Sequence, residues 1–135
     1  MLDSTLSELQ AALTGKKISS VELTRLFLER VRKLNGELNA FLAWDGDASL
    51  AQAPASDQAR APGRAGPLTG IPLAHKDIFC TRQLPTTCGS RMLEGYRSPY
   101  DAHVIEQFGK AGAVLLGKTN MDEFAMGSSN ETSHF

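Results

Sequence analysis

The chain is short of the residues that mark several large classes of protein. It has only two cysteines, Cys80 and Cys88, too few for a disulfide framework and without the spacing of a zinc site. Its three histidines, His75, His103 and His134, lie far apart and read as ordinary histidines, so no metal site is expected. Excess charge is missing too: Lys+Arg number 14 against 15 Asp+Glu, a formal net charge of −1. That balance gives no electrostatic argument for direct binding of nucleic acid or an anionic membrane. No apolar run approaches the roughly 18 residues of a membrane-spanning helix. Met1-Leu2-Asp3-Ser4 opens neither the basic nor the apolar segment of a signal peptide, and the cytoplasm is the expected compartment.

What is present suits a globular protein. Hydrophobic content is 41% and charged content 21%, and 135 residues make room for one domain with a sizeable core. Thr5-Leu6-Ser7-Glu8 is a capping box that opens a short helix closed by Gly15. Ser19-Ser20-Val21-Glu22 is a second one, opening a longer helix to about Asn35-Gly36, with Leu23, Phe27, Val31 and Leu34 on one face. Residues 38–44 read as a first strand. The Ala-rich stretch 48–64, interrupted by Pro54 and Pro62, reads as a frayed or broken helix followed by a loop.

Gly70-Ile71-Pro72-Leu73-Ala74-His75-Lys76-Asp77 is the most informative stretch. An apolar run ends abruptly in three ionisable residues, the pattern of a buried strand end with Lys76 at its lip. In an α/β domain, ligands bind in the crevice beyond such ends. A lysine that loses water there loses part of its affinity for a proton and can serve as a general base. Residues 84–90 read as a loop. Ser98 or Asp101 caps a helix over about 101–111, with Pro99 at its first position, and 113–116 is a buried strand. Strand (71–75), helix and strand form a βαβ unit with parallel strands, which sets Lys76 and Lys118 toward a common face. Residues 122–126 read as a short helical turn. A sheet of three strands is expected to leave apolar faces such as Val114–Leu116 uncovered.

Gly112-Ala113-Val114-Leu115-Leu116-Gly117-Lys118-Thr119 satisfies the phosphate-loop pattern G-x-x-x-x-G-K-[ST] letter for letter. The mechanism needs a loop whose N–H groups curl around phosphates, with a strand before it. Here the four middle residues are the most strand-like run in the chain, and a helix precedes them. Nucleotide binding through this motif is not expected.

The run 70–77, with Thr86-Thr87-Cys88-Gly89-Ser90, Pro99-Tyr100-Asp101-Ala102 and the stretch 111–133, resembles the amidase signature family. The segment from Gly117 to Ser133 resembles one branch of it, the A subunits of the glutamyl-tRNA(Gln)/aspartyl-tRNA(Asn) amidotransferases, in their bacterial form. The resemblance implies an α/β fold with a mixed β-sheet flanked by helices, of which residues 1–135 form the N-terminal part of a single domain. It also implies a Ser–cis-Ser–Lys relay whose lysine falls on Lys76, and a substrate pocket lined by Met126, Gly127 and Ser128. The two serines belong to a Gly/Ser-rich loop that these residues do not contain, so this chain alone is expected to be inactive. The implied function is hydrolysis of the glutamine amide, supplying ammonia to convert a misacylated Glu-tRNA(Gln) or Asp-tRNA(Asn) into the amide form. Subunits B and C are the implied partners. The partner subunit uses ATP and Mg²⁺, and this chain needs no cofactor of its own. Two alternatives stand beside this reading: a non-catalytic fragment that docks to the partner subunits, and an amidase acting on another amide.

Overall fold

A computed structural model describes residues 1–60 and 63–135. The elements in order are α1 (Leu6–Thr14), α2 (Ser20–Leu38), β1 (Phe41–Trp44), α3 (Gly46–Arg60), β2 (Pro72–Lys76), α4 (His103–Lys110) and β3 (Val114–Thr119). Both capping boxes form. The Thr5 and Ser19 side chains accept from the amides of Glu8 and Glu22, whose carboxylates reach back to the cap amides. Orphan donors at both helix starts are thereby satisfied.

The three strands lie in the order β1-β3-β2, with β3 parallel to β2 and antiparallel to β1. This is a mixed sheet built around the predicted βαβ unit. With α2 and α3 packed against β3, Val114 and Leu116 are buried and Leu115 half-buried, and the expected uncovered face over 114–116 is not found. Leu9, Leu13, Leu23 and Ile71 form the core cluster, with Ile18, Phe27 and Leu73 packed against it. The α1–α2 pair thus sits directly on the start of β2. Gly70, which leads into β2, has φ +77, and a Cβ there would meet Ser20 Oγ at 2.8 Å. The close approach of α2 to the chain requires glycine at that point.

Several boundaries differ from those expected. α2 runs past Gly36 to Leu38 and is closed by Asn39 in the left-handed region, so the first strand is only Phe41–Trp44. The Asn35 side chain joins the two, donating to Phe41 O and accepting from Phe41 N. α3 is continuous through Pro54 rather than broken. Pro54 lies on the solvent face, while Gly46, Ser49, Ala53 and Ser56 form a buried stripe of small residues. That stripe is fastened by long-range bonds: Ser49 Oγ donates to Leu115 O, and Gln52 Oε1 accepts from Leu115 N. Asp57 accepts from the amides of Ser20 and Val21. These contacts offset the hydrogen bond that a proline removes from a helix, a loss of about 3 kcal/mol. The expected break at Pro62 lies outside the described residues. α4 begins at His103 without a side-chain cap. Ser98 Oγ instead bonds within its own turn to Tyr100, and Asp101 accepts from Arg82 N. β3 extends beyond 116 through Thr119, so the residues of the phosphate-loop pattern are mostly strand.

Candidate active site

β2 and β3 run parallel in the register His75↔Lys118 and Lys76↔Thr119. Successive side chains on a strand point to opposite faces, so the residues at this end of the sheet fall into two sets. His75, Asp77 and Lys118 share one face and are buried, and Lys76 occupies the other. The expectation that both lysines open onto a common face is therefore corrected. They share an end of the sheet but not a side, because each sits opposite the other's neighbour in register.

On the buried side, Lys118 is 0% exposed and donates to Asp77 Oδ1 at 2.8 Å, Thr86 Oγ1 at 2.9 Å and Pro85 O at 3.2 Å. An ammonium has three donors, and all are spent. Asp77 Oδ2 accepts from the amide and the hydroxyl of Thr87, and Asp77 O accepts from Cys88 N. This network clamps the 85–90 loop to the end of β2. The hydroxyls of Thr86 and Thr87 are thus committed internally. Burial lowers the His75 pKa, aided by the Lys118 charge. Burial, and then the Asp77 charge, push the Cys88 thiol up.

On the open side, the Lys76 side chain is 44% exposed, and its Nζ lies 3.4 Å from Asp122 Oδ1. The other oxygen of the same carboxylate accepts from Gly127 N at 2.8 Å. The Gly127 amide, and next the Lys76 ammonium, hold the Asp122 carboxyl below its ordinary pKa, with burial opposing them. Asp122 therefore brings together two of the residues singled out in the sequence, Lys76 and Gly127. Met126 and Ser128, beside Gly127, are exposed.

The segment from Met121 onward is held against the 85–90 loop by a second set of bonds. Phe124 N donates to Cys88 O, His134 N to Gly89 O, and Ser90 Oγ to Glu123 Oε1. Gly89, at φ +68, leaves 2.6 Å between its missing Cβ and Met121 O. The predicted helical turn is a 3₁₀ turn over Glu123–Ala125 in which Phe124 and Ala125 take φ of 52° and 57°. Neither is a residue that adopts such angles without support.

Sequence reasoning singles out Lys76 and passes over Asp122 and the Lys118–Asp77 network. The signal for the network is present in the sequence, since β2 and β3 in parallel place residues 77 and 118 within side-chain reach. Asp122 carries none, because its partner is five residues on through a strained turn. Among the described residues, no serine hydroxyl lies within hydrogen-bonding distance of Lys76 Nζ. The site as it stands offers a partly exposed ammonium, a carboxylate and a backbone turn open to solvent.

Residues 22–135 match the family model described as Amidase. Over all 135 residues the chain is 62% identical to the glutamyl-tRNA(Gln) amidotransferase A subunit of Aromatoleum aromaticum, and it covers 28% of that protein. Among solved structures, the native peptide amidase from Stenotrophomonas maltophilia aligns with 94% of this chain and 27% of its own, at a TM-score of 0.84 and 36% identity. The glutamyl-tRNA(Gln) amidotransferase A subunit from Thermotoga maritima aligns with 98% of this chain and 26% of its own, at 0.73 and 34%. The chain thus spans somewhat more than a quarter of the relatives that it matches.

Proposed function

Because this chain belongs to the amidase family, we propose that it is the base-bearing part of the A subunit of a glutamyl-tRNA(Gln) amidotransferase. The observation that carries the reading is 62% identity over the entire chain to such a protein. The reaction is hydrolysis of the glutamine side-chain amide. A serine hydroxyl attacks the amide carbon while its proton passes through a second serine toward Lys76. The proton is returned to the nitrogen of the tetrahedral intermediate, which leaves as ammonia and gives an acyl-enzyme that water hydrolyses to glutamate. A serine is a weak nucleophile until a neighbouring base takes its proton. Lys76 supplies that base in its unprotonated form, which exclusion of water favours. Both serines lie outside these residues, so hydrolysis is expected only where further chain covers Lys76. Met126, Gly127 and Ser128 line the glutamine pocket in this reading.

The ammonia passes to a partner subunit, which activates the carboxylate of the misacylated tRNA with ATP and Mg²⁺. Subunits B and C complete a cytoplasmic heterotrimer. Assigning ATP to the partner agrees with the burial of Lys118, whose three donors are all committed inside the chain. The test is glutamine hydrolysis by the assembled amidotransferase carrying this chain. Lys76→Ala abolishes ammonia release if the assignment is right, and an unchanged kcat in that variant overturns it.

A further inference from the structure

The carboxylate of Asp122 has two separate obligations. Oδ1 faces the Lys76 ammonium at 3.4 Å, and Oδ2 accepts from Gly127 N at 2.8 Å. The Asp122 side chain is 10% exposed, so both contacts are made at the edge of the packed interior. The turn between Asp122 and Gly127 is short and strained, with Phe124 and Ala125 both at positive φ. Such a turn persists only where its surroundings over-determine it. Ala125 N donates to Asp122 O, Gly127 N closes onto the side chain, and a Cβ on Gly127 would press on Asp122 Cβ at 3.3 Å.

Other charged groups near Lys76 are engaged elsewhere. Asp77 is turned to the opposite face and serves Lys118 and Thr87. Glu123 accepts from Ser90 Oγ, and His75 packs against Phe108 across the sheet end. Among the described residues, Asp122 is the carboxylate that lies within ion-pairing distance of Lys76.

We propose that Asp122 is a positioning residue: in the resting state one carboxylate holds the Lys76 ammonium and the Met126–Ser128 turn together, placing lysine and pocket wall as one unit before Lys76 reaches its unprotonated, base-competent form. The proposal rests on the reading of Lys76 as the base and of residues 126–128 as the wall of the glutamine pocket. A loosened Asp122 frees both at once, which a residue merely filling space does not do.

The decisive measurement is the Gly127 amide proton shift during acid titration of the 135-residue chain by NMR. The wild type shows one acid transition, with a midpoint below the ordinary aspartate range. Lys76→Met moves that midpoint upward, because the stabilising positive charge is gone. Asp122→Asn removes the transition. In the assembled amidotransferase, Asp122→Ala lowers kcat for glutamine hydrolysis on the order of 10–100-fold, the scale of a misplaced catalytic group. Asp122→Glu restores part of it. A Gly127 amide with no acid transition, a midpoint indifferent to Lys76→Met, or a normal kcat in Asp122→Ala each overturns the proposal. Coupled titration together with full activity of Lys76→Ala sinks the assignment of the base instead, and leaves the Lys76–Asp122–Gly127 unit standing.

Discussion

Lys118 and Asp77 form an ion pair at 2.8 Å with both side chains closed to solvent, 0% and 1% exposed. A pair of this kind contributes little net stability compared with well-packed apolar residues, but removing one partner strands the other charge without water. Asp77→Ala leaves the Lys118 ammonium with only Thr86 and Pro85 O. It also frees the amide and hydroxyl of Thr87. The expected loss is about 3–5 kcal/mol, read as a fall in the urea midpoint. Lys118→Met is expected to cost less, because Asp77 keeps its two bonds from Thr87.

The caps on α1 and α2 make part of the stability sensitive to acid. Hydrogen bonds from the amide and hydroxyl of Ser19 lower the Glu22 pKa below its ordinary 4.5, and those of Thr5 do the same for Glu8. A carboxyl whose folded pKa is depressed contributes stability above its unfolded pKa, and that contribution is lost as pH falls through the folded one. Glu22→Gln is expected to flatten the acid limb of the stability–pH curve below 4.5 and to leave its shape near neutrality unchanged. Urea unfolding at a series of pH values checks this. A Ser19→Ala change removes the reciprocal bond and is expected to cost about 1 kcal/mol.

Gly117 is where β1 presses on β3. A Cβ there would lie 2.6 Å from Ala43 O, 2.8 Å from Trp44 Cβ and 2.9 Å from Phe41 Cδ1. Backbone gives way poorly, so Gly117→Ala is expected to destabilise by about 1–3 kcal/mol, the range of an overpacked core. Hydrogen exchange should show β1 amides losing protection before those of β2. Uniform loss across the sheet would contradict the local origin of the effect.

Titration with ATP or GTP is expected to show no saturable, Lys118-dependent binding. The phosphate-loop mechanism needs a reachable lysine above a ring of free amides. Here the lysine is sealed, and Gly117 and Lys118 sit in strand pairing. Calorimetry on the wild type and Lys118→Met decides it.

The βαβ unit, both capping boxes and the strand end at Lys76 are readable from residue order, because they rest on local periodicity and cap chemistry. The false phosphate loop fails on the same footing, since the strand-like run 113–116 does enter β3. What residue order does not supply is set by partners distant along the chain. α3 survives Pro54 because residues 112 and 115 anchor its small-residue face. α2 runs past Gly36 because Asn39 can adopt the left-handed cap and Asn35 can bridge to Phe41. The faces of Lys76 and Lys118 depend on register, and a one-residue offset reverses a side chain. Asp122 is invisible in the sequence because its role depends on the two positive-φ residues that follow it.

The central position of β3 also sets an order in time. β1 and β2 do not pair with each other, and each finds its partner only in β3. At synthesis rates of about 5–20 residues per second, Val114 follows Trp44 by roughly 4–14 s and Lys76 by roughly 2–8 s. Until β3 is made, β1 and then β2 have no partner in the sheet. A nascent chain halted before residue 114 therefore carries two strands with no sheet to join. The sheet, and with it the lip that carries Lys76, can pair only once β3 has been made.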